Sequence, residues 1–122
     1  MRDDIVENDE RLFRAIKPRP DFWSTSDNRL SSAFFKDSQG VSVDRNGDRE
    51  QDEVNNFFKS RFENLKGLAL VYASKCLEIK CRLIPKQEVD NPFHAHIEGE
   101  TEIKLKDSQA RSIAKNCTFI EF

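Results

Sequence analysis

The residues able to do chemistry in this chain are few, and most belong to short strand-like stretches. His94, His96 and Glu98 alternate with Ala95 and Ile97, and on a strand a period of two brings the first three onto one face. A histidine there, His94 foremost, can donate a hydrogen bond or act as general acid and base near neutral pH. Arg14, Ser31, Ser32, Ser42, Asp44 and Arg45 sit among apolar, strand-forming neighbours. If their strands are adjacent, arginines and hydroxyls converge with His94. Such a set suits a phosphate or nucleotide, because a guanidinium grips oxyanions through two parallel N–H bonds and a hydroxyl orients them. Arg14, Arg45 and His94 are the candidate catalytic residues. The wider ligand-binding set adds Ser31, Ser32, Ser42 and Asp44.

Other chemistries fit less well. Two imidazoles and a carboxylate on one face are the ingredients of a divalent-metal site, so metal binding through His94 and His96 is carried as an alternative. The spacing His94-x-His96-x3-Glu100 has the outline of a cupin motif. The upstream glycine of that motif is absent, Asp107 replaces the downstream one, and the chain has only two histidines. No metal ligand set and no cofactor is assigned. Cys76 and Cys81 would point to opposite faces of a strand and read as buried thiols. Asp44-Arg45-Asn46-Gly47-Asp48 begins like a calcium loop, but Arg49 and Asn55 stand where glycine and glutamate are needed. A turn and a helix cap explain that run.

These residues must be positioned by a small set of elements. At 122 residues the chain has the size of one domain, and its ten Phe supply large buried areas. Residues 1–10 carry Asp3, Asp4, Glu7, Asp9 and Glu10 against Arg2 alone and read as a flexible acidic N-terminus ahead of a single domain, residues 11–122. Residues 11–16 form a strand with Leu12, Arg14 and Ile16 on one face and Phe13 and Ala15 on the other. Pro18 and Pro20 end it. Residues 21–28 are a polar loop in which Trp23 caps a core edge, part-exposed.

Residues 30–35 read as a second strand and residues 41–43 as a third. A helix opens near Asp48, with Val54, Phe57, Phe58, Phe62 and Leu65 as its apolar stripe. Acids stand at its front and bases at its back, as the helix dipole favours, and Gly67 closes it. Residues 68–73 form a buried strand, with helical continuation from Ser74 as an option, and residues 79–84 form another. Residues 93–97 and 101–105 alternate around Gly99 as a hairpin. A last helix is capped by Asp107 or Ser108 and is followed by a terminal strand over residues 118–122. The expected architecture is α+β: a mostly antiparallel sheet with two packed helices.

Taken together, the chain resembles a small family of uncharacterised bacterial proteins. The shared pattern is an arginine on the first strand, here Arg14, then Ser31-Ser32-Ala33-Phe34-Phe35, Ser42-Val43-Asp44 and Asn91-Pro92-Phe93-His94-Ala95. The resemblance spans residues 12–117. It implies no activity, places more weight on His94 than on His96, and points to a bacterial cytosolic setting. The arginine followed by a serine pair is also similar to the arginine–serine–glutamate layout of ADP-ribosyltransferases, with Glu98 as the only tempting glutamate.

Composition narrows partners. A net charge of -2 argues against general DNA binding. No stretch approaches the ~20 apolar residues of a membrane helix, and three Cys without an apolar leader point to a reducing cytoplasm. The leading expectation is an accessory or binding domain. It acts on a protein partner or a nucleotide-like ligand through the Arg14, Ser31, Ser42, Arg45 and His94 face. The competing expectation is a small enzyme on a nucleotide or RNA, either ADP-ribosyltransferase-like or a metal-independent ribonuclease, with His94 as acid and base.

Overall fold

The computed structural model describes residues 10–18, 22–24 and 29–122. Residues 1–9, Pro20, most of the loop over residues 21–28 and the side chain of Trp23 lie outside the described residues. The fold is α+β. Six antiparallel strands form one sheet in the order β6-β7-β4-β1-β5-β8, built from β1 Arg11–Ile16, β4 Val41–Arg45, β5 Gly67–Tyr72, β6 Arg82–Pro85, β7 His94–Glu98 and β8 Thr118–Glu121. A separate two-stranded ladder joins β2 Trp23–Ser24 to β3 Arg29–Leu30.

Two longer helices pack on this sheet, as expected, and a third is short: α1 Gln51–Arg61, α2 Ala73–Glu78 and α3 Asp107–Asn116. Alternation along the strands divides the core. Leu12, Ile16, Val41, Val43, Ala95 and Ile97 face α3, α2 and the segment carrying Phe34 and Phe35. Phe13 and Leu68 face the other way, against Val54 and Phe58 of α1. Burying four such side chains contributes roughly 1.5–3 kcal/mol each. The second layer covers only part of its face. Beyond it, β4 and β7 present Ser42, Asp44, His94, His96 and Glu98.

Several expectations need correction. Residues 30–35 are not a strand: after β3 the chain turns into a 3-10 helix, Ser32–Phe35. A strand would send Phe34 and Phe35 to opposite faces, whereas both are buried and meet edge to face with ring centroids 4.9 Å apart. Burial of two adjacent aromatics into one core overrides strand propensity. Residues 101–105 do not pair with β7. The hydrogen-bonding edge of β7 is taken by β6, with Arg82 opposite Glu98, and the Arg82 guanidinium holds the Gly99 and Glu102 carbonyls at 2.6 and 3.1 Å.

Helix α1 begins after Glu50, whose backbone N–H donates to Glu53 Oε1, two residues beyond Asp48. It ends at Arg61, so Phe62 and Leu65 join the core from the following loop, and Gly67 opens β5 instead of closing the helix. Glu10 belongs to the folded part. Its carboxylate is buried and holds Arg45 Nε at 3.0 Å and the Gly47 N–H at 3.2 Å.

Candidate functional site

The site arises where two strands part. β1 and β4 share the pairs Leu12–Arg45 and Phe13–Asp44, and then no further ladder pairs, while β1 stays paired with β5 over its whole length. Arg14 fills the opening. Its Nε donates to the Phe34 carbonyl at 3.1 Å and its Nη1 to the Ser42 carbonyl at 2.8 Å. Its guanidinium carbon stands 5.0 Å from the centre of the Phe34 ring. Both acceptors are neutral carbonyls, and Arg14 makes no ion pair with any described carboxylate. Burial lowers its pKa from its usual value, against the opposing pull of nearby Asp37. An arginine keeps its charge nonetheless, so the opening holds a partly desolvated cation without a paired carboxylate among the described residues.

A cavity of about 590 Å³ occupies this opening, within the range of small-ligand sites. Arg14, Ser42, Asp44, Asn91 and His94 line it. Its apolar wall includes Phe34 from the 3-10 helix, and Phe57, Phe58 and Phe62 from α1 and the loop after it. Charged side chains of Lys17, Lys36, Asp37, Arg61 and Glu88 complete the lining. Arg61 Nη1 also reaches Asp90 at 3.0 Å, which ties α1 to the loop between β6 and β7.

Asp44 and His94 stand opposite each other across β4 and β7. Asp44 is 4% exposed. Its Oδ1 accepts from Asn91 Nδ2 at 2.9 Å, while its buried Oδ2 has no hydrogen-bond donor among the described residues. Arg49 Nη2 lies 3.6 Å from Oδ2, a charge contact beyond hydrogen-bond reach. Burial raises the Asp44 pKa above its usual value, with Asn91, Arg49 and His94 pulling the other way. His94 Nδ1 lies 2.9 Å from the Lys86 carbonyl. A carbonyl only accepts, so Nδ1 carries the proton and Nε2 is left as an acceptor.

His96 lies next along the same face, its ring edge-on to that of His94 at 5.1 Å. Its Nε2 is 3.5 Å from Ser42 Oγ and its Nδ1 is 3.8 Å from Glu98 Oε2. Among the described residues no group of three or more His, Cys, Asp or Glu side chains is placed to hold a metal ion.

The residues singled out in the sequence therefore separate. Arg14, Ser42, Asp44 and His94 meet at one cavity. Ser31 and Ser32 sit on the turn into the 3-10 helix and do not line it, and the Ser31 backbone N–H donates to the Phe22 carbonyl at 2.9 Å. Arg45 is 1% exposed and turned into the interior against Glu10, because strand alternation sends it the opposite way from Asp44. Glu98 lies between Arg82 at 3.4 Å and His96, away from the cavity, so the arginine–serine–glutamate layout is not assembled. Sequence reasoning missed Asn91 as the partner of Asp44, and the aromatic wall. Asn91 was visible only as part of an Asn-Pro pair, and the Phe residues only as core.

No family model, no curated protein and no solved structure matches this chain. No helix among the described residues is long and apolar enough to cross a membrane.

Proposed function

We propose that the chain is a small cytoplasmic bacterial binding domain whose ligand is a nucleotide-like anion held in the cavity between β1 and β4. The observation that carries this reading is Arg14: a guanidinium whose hydrogen bonds among the described residues go to carbonyls, at the wall of a cavity of ligand size. A partly buried cation without a counter-ion is costly, and an anionic ligand supplies one. Phe34, Phe57 and Phe62 supply an apolar wall beside that cation. The motif resemblance supports the bacterial setting, and the buried thiols of Cys76 and Cys81 suit a reducing compartment.

The test is a thermal-shift and calorimetric screen of the purified protein with nucleoside monophosphates, NAD, short RNA and inorganic phosphate, run beside Arg14→Met. The expected result is a rise in melting temperature in the native protein that the variant lacks. At a hundredfold excess over Kd the gain is about 2.7 kcal/mol. Absence of any shift, or a shift untouched by Arg14→Met, rejects the reading.

A second reading, that the site turns its ligand over, is favoured by one feature. The Lys86 carbonyl holds the His94 ring so that Nε2 is a base. In a metal-independent ribonuclease that nitrogen takes the proton of the attacking hydroxyl while Arg14 steadies charge on phosphate. His94→Ala then abolishes turnover and leaves Arg14-dependent binding in place.

A further inference from the structure

The charges around the cavity set how much charge its ligand can carry. Several are already matched by groups outside the lining. Lys36 Nζ reaches Asp107 at 3.1 Å, Arg61 Nη1 reaches Asp90 at 3.0 Å, and Asp44 faces Arg49 at 3.6 Å. Arg14, Lys17, Asp37 and Glu88 remain on the lining. Arg14 and Lys17 make no ion pair with a described carboxylate, and Asp37 and Glu88 make none with a described cation.

These four groups are not equivalent. Arg14 is half-buried in the gap between the strands, and its Nη2 donates to no acceptor among the described residues. Lys17 and Glu88 are exposed and stand at the mouth, with Lys17 Nζ over the Phe62 ring at 5.6 Å. Asp37 is half-buried. The Gln39 backbone N–H holds its Oδ1 at 2.8 Å, and it is near enough to Arg14 to act on its charge. A single anionic group can therefore meet Arg14. Any further negative charge has Asp37 and Glu88 for neighbours, with only Lys17 to offset them. Like charges brought together are how binding surfaces suppress the wrong partner.

From this we infer that the cavity takes a phosphodiester, a single charge between two neutral arms, and turns away terminal phosphates. A terminal phosphate carries about −1.5 to −2 charge near neutral pH, and a di- or triphosphate carries more. In a diester both arms are organic, so they can lie against Phe34, Phe57 and Phe62 without bringing charge to the acids. His94 Nε2, left as an acceptor by the Lys86 carbonyl, suits a neutral donor such as a sugar hydroxyl. The inference rests on the anion-binding reading above and adds to it the charge of the ligand. Asp37 and Glu88 become specificity residues that act by repulsion.

The experiment is calorimetry on the full chain, in metal-free buffer, with a charge series on one base: adenosine 3′,5′-cyclic monophosphate, AMP, ADP and ATP. The dinucleoside phosphate of adenosine is added as an open diester. The native protein is compared with Glu88→Gln and Asp37→Asn, and the fold of each variant is checked by circular dichroism. Glu88 makes no side-chain hydrogen bond among the described residues, and Asn at position 37 keeps an acceptor for Gln39. The expected result is that the diesters bind about tenfold or more tighter than AMP, with ADP and ATP weaker again. Both variants should narrow that gap by strengthening the di- and triphosphate, with little change for the diesters.

ADP or ATP binding as tightly as the diesters, with Arg14→Met still abolishing binding, overturns the diester inference and leaves the anion site standing. A charge series that neither variant moves overturns it too, because the selectivity then comes from somewhere other than Asp37 and Glu88. Failure of every nucleotide to bind removes both readings.

Discussion

The Arg14 guanidinium donates to the backbone carbonyl of Ser42 at 2.8 Å across a gap where β1 and β4 no longer pair. A side chain thus takes over where backbone rungs stop. Arg14→Met keeps much of the aliphatic packing but removes both bonds to carbonyls. Hydrogen bonds from charged donors contribute about 1.5–3 kcal/mol, and water in the cavity recovers part of that for Ser42. Urea unfolding should show a loss of about 1–2 kcal/mol with an unchanged m-value, together with loss of nucleotide binding.

Asp44 gives a pH signature. Burial holds its carboxyl above the usual 3.8, so the folded state binds this proton more tightly than the unfolded chain does. The associated stability is complete below the unfolded value and is lost as pH rises through the folded one. In unfolding experiments across that acidic window, the native protein should lose stability relative to Asp44→Asn as pH climbs. Parallel curves for the two proteins would contradict the burial argument.

His96 gives the opposite slope. Burial first, and then neighbouring His94, lower its pKa from 6.5, so the folded state resists protonation. The stability tied to neutral His96 is full above 6.5 and fades as pH falls through the folded value. Below the unfolded value, acidification should weaken the native protein more than His96→Gln. The imidazole titration, followed by NMR, should have its midpoint below that of a free histidine.

Gly40 packs against the same ring. It adopts a φ of +97°, and an added Cβ would stand 2.7 Å from His96 Nδ1. Gly40→Ala meets both a disfavoured backbone and a side chain that must move. A loss of about 1–3 kcal/mol is expected, measurable by chemical denaturation, and His96 resonances should shift more than those of residues across the sheet.

The three thiols should divide by burial. Cys76 is held up to about 12 and Cys81 to about 11, in both cases by burial first, whereas Cys117 is half-exposed. Mass spectrometry of the native protein treated briefly with iodoacetamide should find one label, on Cys117, and denaturant should release the other two. Thiolate is the reacting species, so early labelling of Cys76 would mean that α2 opens readily.

Much of the sheet is legible in the chain because period two survives where the two faces of a strand meet different surroundings. Leu12 and Ile16 separate from Phe13 and Ala15, and Ala95 and Ile97 from His94, His96 and Glu98, in the structure as in the pattern. The Ser32–Phe35 segment misleads because two adjacent phenylalanines fit a strand as well as a tight helical turn, and only the core above them decides. Residues 101–105 mislead for a related reason: they alternate well, but β6 already occupies the edge they would need. The cavity leaves no local trace at all. It depends on where a ladder between residues some thirty positions apart stops, and hydrophobic periodicity carries no information about that.

The parting of β1 from β4 divides the sheet into two leaves, β6-β7-β4 and β1-β5-β8, joined near a two-pair hinge. Arg14 belongs to one leaf and His94 to the other. A molecule gripped by both is therefore a clasp. It should slow amide exchange in strands it never touches, so that occupancy of the cavity becomes audible as stiffness across the whole sheet.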